Sequence, residues 1–491
     1  MFSHVRLPTA VKQGLILLGG TTLAQMVPAI AAPLVTRLYH PADFGTFAFV
    51  LAAFGLLAPL VCMRYELAIM LPEDEESAAH VTWLCLIFAA ALAVLSCLIL
   101  ALLWLFPPGA MVRTFIPLLL IMLPAGIALW SIQLVAQNWS LRTHNYRVQS
   151  VATVAQALVT ICSQTLLGAV FGSDPYYLVL GTLIGYLTGA LVYLPIINAH
   201  ILPKFKKFQS LKGALRMASL YVRFPMYAGP YAVVSQAAVR GVFLVLAALT
   251  STAIVGQYAL AQRVIFLPVC TLMLAAGQIF FSRAARRIDD PRMPRMVRTL
   301  LIAGPLTVGP FFMLAFLFGE PIFAFVFGRA WQQAGKFAVI LAIPSMAKSL
   351  TAWLDRIYDI RGRQSFALIL ETSYLIIGLT ATYITLRVTG NAELGLETYA
   401  AVTVIYYLIW LFCSLSVADF GFRMGGEFLA TATAMGLCIV AGDRILQWSD
   451  AKTVARFIGD VMLALPIIGA GVWIASKHMG ELKPPSRVLE V

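Results

Sequence analysis

Long apolar runs alternate with short polar links along almost the whole chain. A run of about 20 mostly apolar residues is the length at which a helix crosses the hydrocarbon core of a bilayer. Six such runs fall near 13–35, 42–63, 79–106, 114–137, 148–171 and 176–199. Six more fall near 226–249, 254–277, 299–319, 336–358, 365–387 and 396–417, and a last pair near 425–441 and 457–475. The predicted fold is all-α, a polytopic membrane protein of about 14 transmembrane helices. The longest basic link, residues 201–225, divides the first twelve runs into an N-terminal six-helix lobe, 1–200, and a C-terminal six-helix lobe, 226–418. Residues 419–491 then hold helices 13 and 14 and a tail.

An ungapped offset of 211 residues relates the lobes: Gln25 matches Gln236, Leu38 matches Leu249 and Gly45 matches Gly256. The glycines open similar tetrapeptides, Gly45-Thr46-Phe47-Ala48 and Gly256-Gln257-Tyr258-Ala259. An even number of spans per lobe makes such repeats parallel, and chains of that kind hold substrate between lobes that rock around it.

Composition sharpens the class. Of 491 residues 60% are hydrophobic and 12% charged, and the mean hydropathy is +0.87. A soluble chain carries about twice that charge and could not hide that much apolar surface. The net charge of +13 is assigned to cytoplasmic loops beside anionic lipid, and no nucleic-acid partner is expected. Placing both termini in the cytoplasm puts Lys and Arg inside over outside at roughly three to one, with the strongest basic loops at Lys204–Arg223 and Arg283–Arg298. The first apolar run continues to Val35 and reads as an uncleaved span rather than a signal peptide. The seven cysteines lie in apolar stretches without a C-x-x-C pair, so neither disulfides nor a metal site is expected. No phosphate-binding loop or nucleophile motif occurs, which argues against an enzyme and against ATP as the direct energy source.

The informative residues are charges inside the spans. Arg240, Arg263 and Lys348 fall near the centres of spans seven, eight and ten, and none has an acidic residue three or four positions away. A cation at mid-bilayer costs about 2.5–3.5 kcal/mol on insertion scales and tends to face a wet cavity or a partner. Together they suggest an anion cavity, since guanidinium and ammonium groups suit phosphate oxygens. The plainer reading pairs each cation with Glu371, Asp355 or a helix C-terminus. Glu371 and Asp355 are also the candidates for a coupling-ion site, H+ or Na+, with no other cofactor expected. Arg64 and Glu66 mark a cytoplasmic gate, and Gln25, Gln236, Gln257 and Tyr258 are candidate sugar contacts or interhelical hydrogen bonds.

Three segments then carry a resemblance. Ala32-Pro33-Leu34-Val35-Thr36-Arg37-Leu38-Tyr39 runs into Pro41-Ala42-Asp43-Phe44-Gly45. Arg64-Tyr65-Glu66-Leu67-Ala68-Ile69-Met70-Leu71-Pro72 precedes Glu73-Asp74-Glu75-Glu76, and Val326-Phe327-Gly328 precedes Trp331, Ala334 and Gly335. The chain thereby resembles the Wzx-type oligosaccharide flippases of the multidrug/oligosaccharidyl-lipid/polysaccharide exporter superfamily. The resemblance implies a bacterial inner-membrane protein that moves a polyprenyl-pyrophosphate-linked oligosaccharide from the cytoplasmic to the periplasmic leaflet by alternating access. It implies a role in surface polysaccharide synthesis (exopolysaccharide, capsule or O-antigen), with membrane lipids and the pathway's polymerase and co-polymerase as partners. Two alternatives stay open: a cation-coupled multidrug antiporter of the same superfamily, and a flippase for another anionic lipid such as the peptidoglycan precursor. A membrane-embedded polymerase fits poorly, because the outside loops are short.

Overall fold

The computed structural model describes residues 9–106, 110–203, 210–266, 277, 280, 290, 292–448 and 453–480. No strand occurs among them, and twelve helices are long and apolar enough to cross a membrane. These twelve coincide with the second to seventh and the ninth to fourteenth predicted spans. The first predicted span is a pair of helices, α1 (Thr9–Ile30) and α2 (Ala32–Leu38). The eighth is helical over 252–266, after which most of it lies outside the described residues. So do the middle of the 201–225 loop, Arg283 to Arg287, and the tail beyond 480. By sequence the ninth span either extends to Phe327 or breaks at Gly319-Glu320-Pro321, and it extends. It runs unbroken over Met293–Phe327 with three internal prolines, which neighbouring helices let a membrane helix tolerate.

The chain forms two compact units, Met1–Ala259 and Leu260–Val491. The first holds α1, α2, α3 (Pro41–Leu57), α4 (Glu75–Leu105), α5 (Ala110–Arg142), α6 (Tyr146–Phe171), α7 (Pro175–Val192), the short α8 (Leu211–Leu220) and α9 (Gly229–Leu249). The most extensive packing is α6 on α7, where small residues face polar ones. A β-carbon on Gly181 would meet Gln164, one on Gly185 would meet Thr160, and one on Gly189 would lie 2.7 Å from Gln156 Oε1 and 2.8 Å from Gln133 Nε2. Close approach also hands the glutamines their acceptors: Gln164 donates to the Leu178 carbonyl at 3.0 Å, and Gln133 to that of Tyr186 at 2.6 Å. Hydrogen bonds between helices thus follow from glycine spacing.

The repeat-related glycines touch one another. Gly45 on α3 faces Thr252 and Gly256, and a β-carbon on Gly256 would run into the Pro41 carbonyl. Two backbones can approach this closely only where neither residue has a side chain.

The three segments that carry the family resemblance prove to be turns and locks. Tyr39, at the end of α2, donates its hydroxyl to the Gln164 carbonyl at 2.7 Å, with its ring in the space left by Gly168. Asp43, in the first turn of α3, accepts from the Ser173 hydroxyl, whose oxygen accepts from the His40 N–H at 2.9 Å. Arg64 sits in the left-handed region at φ 63° and launches a 3₁₀ turn over Tyr65–Met70. Arg142 gathers the carbonyls that this turn leaves over, bonding those of Ile69 at 3.0 Å and Pro72 at 2.6 Å. Asp74 caps α4 through the Ser77 N–H at 2.6 Å, which holds its carboxyl below the usual range. The 201–225 loop contains α8, which lies against α4 with Gly213 over the His80 ring.

Residues 252–266 form α10, whose first part, up to Ala259, belongs to the first unit; the second unit is built on α11 (Met293–Phe327). Gly328, at φ 97°, turns the chain into α12 (Gln332–Thr351). Gly319 and Gly335 bring α11 and α12 together, the missing side chain of each facing the other's backbone. Beyond α13 (Gln364–Thr389) and α14 (Ala392–Val417), the last two helices, α15 (Arg423–Trp448) and α16 (Thr453–Gly480), both pack on α11.

Gly45→Ala is expected to destabilise the protein by at least about 1–3 kcal/mol, because it pushes a methyl into the Thr252 carbonyl. Gly426→Ala, in open space on α15, should be neutral or slightly stabilising. Thermal unfolding of the two variants in detergent checks the contrast.

Candidate functional site

Arg240 projects from the middle of α9 across α3. Its side chain occupies the space beside Gly55, where any β-carbon would collide with it. The guanidinium Nε donates to Gln236 Oε1 at 3.1 Å, one turn back, and Nη1 to the Leu51 carbonyl at 3.5 Å. These use two of its five N–H donors. No carboxylate lies within ion-pair distance of this half-buried arginine among the described residues. Tyr186 lies within electrostatic reach, between Trp130 at 5.6 Å and Phe54 at 5.8 Å between ring centres. The first unit therefore offers a cation, an amide and an aromatic shelf side by side.

The other two predicted cations belong to the second unit. Arg263 is half-buried on α10 and has no hydrogen-bond or ion-pair partner among the described residues. Phe266, one turn further along the same face, carries Lys348 Nζ over its ring at 5.2 Å. Arg263 and Lys348 thus converge on one turn of α10.

The predicted carboxylates gather elsewhere in that unit. Asp355 ends a 3₁₀ turn after α12 and pairs with Arg356 at 3.6 Å, while Asp359 holds the same arginine at 3.4 Å. Glu371 on α13 is within electrostatic reach of Asp355, and both act on Tyr407. Around them stands a cluster that the sequence analysis missed. Tyr374 donates to the Tyr399 hydroxyl at 2.9 Å and meets Thr403 Oγ1 at 3.0 Å. Its ring stacks on Tyr406 at 4.2 Å, and Tyr406 adjoins Tyr407 and Trp410. The signal was present as the helical spacing of Tyr399, Thr403, Tyr406 and Trp410 on one face of α14.

Arg64 and Glu66 meet at 3.4 Å in the first unit. Glu66 is only 3% exposed, and its Oε2 has no hydrogen-bond partner among the described residues. Burial holds its carboxyl above the usual range against the pull of Arg64. Of the four candidate sugar contacts, Gln25 is exposed on α1 and Gln236 serves Arg240. Gln257 is buried, and Tyr258 is packed edge-on against Phe243 at 4.9 Å.

The model of the family described as polysaccharide biosynthesis protein matches residues 34–336, more than half the chain. The chain belongs to that family. No curated protein matches the sequence. Among solved structures, a lipid II flippase MurJ in an inward closed conformation superposes with a TM-score of 0.72 at 15% identity, covering 95% of this chain and 99% of that one. The Vibrio cholerae MATE transporter VcmN superposes at 0.53 and 13% identity, covering 85% and 97%. A multidrug resistance MATE transporter described as inward-facing and of the MOP superfamily gives 0.51 at 14%, covering 84% and 95%. This polysaccharide biosynthesis protein thus has the fold of that superfamily, as the sequence motifs indicated.

Glu66 fixes a pH prediction. Its folded carboxyl holds a proton more tightly than an unfolded one, so folding loses stability as pH rises through the window above an ordinary glutamate. Wild-type melting temperature should fall between about pH 5 and pH 8 by more than that of Glu66→Gln. Parallel slopes would remove Glu66 as the cause.

Proposed function

We propose that this protein is an inner-membrane flippase that carries a polyprenyl-pyrophosphate-linked oligosaccharide from the cytoplasmic to the periplasmic leaflet by alternating access. The observation that carries this reading is the pair Arg240 and Arg263. Both are half-buried arginines within spans, without a carboxylate partner among the described residues, in a chain whose family is named for polysaccharide biosynthesis. A structural cation inside a membrane is neutralised by the protein itself. Among the described residues each keeps donors for an incoming anion, Arg240 in the first unit and Arg263 in the second, where Lys348 stands one turn away. A pyrophosphate brings at least two negative charges to such groups. Lys348 is already engaged with Phe266, so the arginines are the primary contacts and the lysine an auxiliary one.

The glycan is a hydrated polymer, so its recognition needs hydrogen-bonding groups and flat apolar faces rather than a fitted pocket. Gln236, Tyr186 and Trp130 supply such groups beside Arg240. In this reading the lipid tail stays in the bilayer while the headgroup crosses. Arg64 and Glu66 lie at the cytoplasmic gate, both termini are cytoplasmic, and a proton or sodium gradient acting on Asp355 and Glu371 resets the carrier. The polymerase and co-polymerase of the pathway receive the product.

The carboxylates among the tyrosines of α13 and α14 support one competing reading, a cation-coupled drug antiporter. Deleting the gene in the source bacterium, complementing it, and weighing the lipid-linked glycans by mass spectrometry separates the two. The flippase reading expects a complete lipid-linked repeat unit to accumulate while surface polysaccharide falls. Arg240→Ala and Arg263→Ala should each lower export by roughly 10- to 100-fold at normal expression, the value of a charge-assisted hydrogen bond. Unchanged glycans with new sensitivity to cationic drugs would replace it with the antiporter.

A further inference from the structure

The last helical pair carries an acidic group that transport as proposed above does not use. Asp460, two turns into α16, is 0% exposed, and neither carboxyl oxygen has a hydrogen-bond partner among the described residues. Its carboxyl points at α15, where the β-carbon missing from Gly442 would stand 3.6 Å from Oδ1. The next residue, Asp443, is 2% exposed and fully engaged on one side. Its Oδ1 accepts from Arg456 Nε at 3.0 Å and Nη2 at 2.6 Å, and its Oδ2 accepts from Gln447 Nε2 at 2.8 Å. Arg444 is held off by Gln447 at 3.3 Å. From α11 the site receives the Phe318 ring, beneath Arg456 at 5.7 Å and edge-on to Phe457 at 5.5 Å. The acid nearest on α11, Glu320, accepts from Gln332 of α12 at 2.7 Å. Asp443 and Arg456 are therefore the charged groups that Asp460 faces.

One cation among two carboxyls leaves one negative charge too many for a dry site. Arg456 is committed to Asp443 by two bonds. An ionised Asp460 would sit beside a like charge with no donor on either oxygen, which costs several kcal/mol. A proton removes the charge and turns Asp460 into a donor, and the neighbouring Asp443 carboxylate, with lone pairs beyond those that Arg456 and Gln447 use, is the acceptor at hand. We propose that Asp460 is a proton-binding site whose proton is shared with Asp443 across the α15–α16 hairpin. The hairpin is then uncharged overall where it packs on α11. Loss of the proton sets two carboxylates against each other at that contact. This site is independent of Arg240 and Arg263 and of which substrate is carried.

Infrared spectroscopy of the purified full-length protein in detergent at about pH 6 tests it. A protonated-carboxyl C=O band that shifts in D2O is expected, diminished by Asp460→Asn and unaffected by Asp359→Asn, an exposed control. The wild-type band should fade as pH is raised, together with thermal stability, while Asp460→Asn, isosteric with the neutral acid, keeps the wild-type melting temperature of pH 6 and follows pH less. Three results overturn the proposal. A band unchanged in Asp460→Asn places the proton elsewhere. A marked loss of stability in Asp460→Asn at pH 6 means that the ionised group was paired with Arg456. A band abolished by exchanging potassium for sodium at fixed ionic strength assigns the site to a metal cation.

Discussion

Helices in a bilayer gain nothing by hiding apolar surface from one another, because lipid tails are as apolar as leucine. What holds them is close contact between backbones and the hydrogen bonds that such contact permits. The fold of this protein follows from that constraint. Gly45 against Gly256 brings α3 and α10 to backbone contact, Gly319 against Gly335 does the same for α11 and α12, and Gly181, Gly185 and Gly189 admit the polar row of α6. In each case the missing side chain also sets up polar contact. Gln164 can reach the Leu178 carbonyl only because Gly181 lets α7 come near. Gly55 has the same role: it leaves on α3 the space in which the Arg240 side chain lies.

The second constraint is that no polar group may be left unserved where water is absent. The three segments that carry the resemblance are answers to it. The Tyr39, His40 and Asp43 contacts fasten the turn between α2 and α3 to Gln164 and Ser173. Arg142 collects the carbonyls released where the Tyr65–Met70 turn abandons α-helical bonding. Gly328 supplies the positive φ between α11 and α12, and Trp331 is buried behind it. Family motifs in this chain thus mark where the backbone changes course, and none of the three supplies Arg240, Arg263 or Lys348. Membership rests on the family match over residues 34–336, and the candidate cations lie outside the three segments.

That division explains what could be read from sequence. Hydropathy located the spans because bilayer thickness sets a minimum length of apolar helix, and the 211-residue offset picked out Gly45 and Gly256, which meet within the first unit. The sequence left two readings of the ninth span's end, extension to Phe327 or a break at Gly319-Glu320-Pro321. Charge and proline argue for a break locally, and only the neighbouring α12, with Gln332 bonded to Glu320, overrides them. The tyrosine cluster escaped because its members come from two helices, and single-helix spacing does not reveal which faces meet. Asp460 falls inside the last predicted span and was open to notice, but its neighbour Asp443, seventeen positions earlier, is brought to it only by the hairpin.

The pattern of charge neutralisation separates support from function. Where the last helices are fastened, cations are matched. Arg298 and Arg423 share Glu427, and Arg456 is bound twice by Asp443. Matching of this kind is within easy reach of the chain, which has 22 acidic residues to draw on. Arg240 instead receives an amide and a carbonyl, and Arg263 has no such partner among the described residues. A neutral acceptor orients a guanidinium without cancelling its charge, so the positive potential survives for something else to meet. An arginine oriented by glutamine is arranged as a receptor for an anion, and one clamped by aspartate is arranged as a strut. Arg456 is thereby held as a strut, while the charges of Arg240 and Arg263 are not cancelled by a carboxylate among the described residues. Asp460 differs from both, since neither of its oxygens has a hydrogen-bond partner among the described residues and the nearby Arg456 is committed to Asp443.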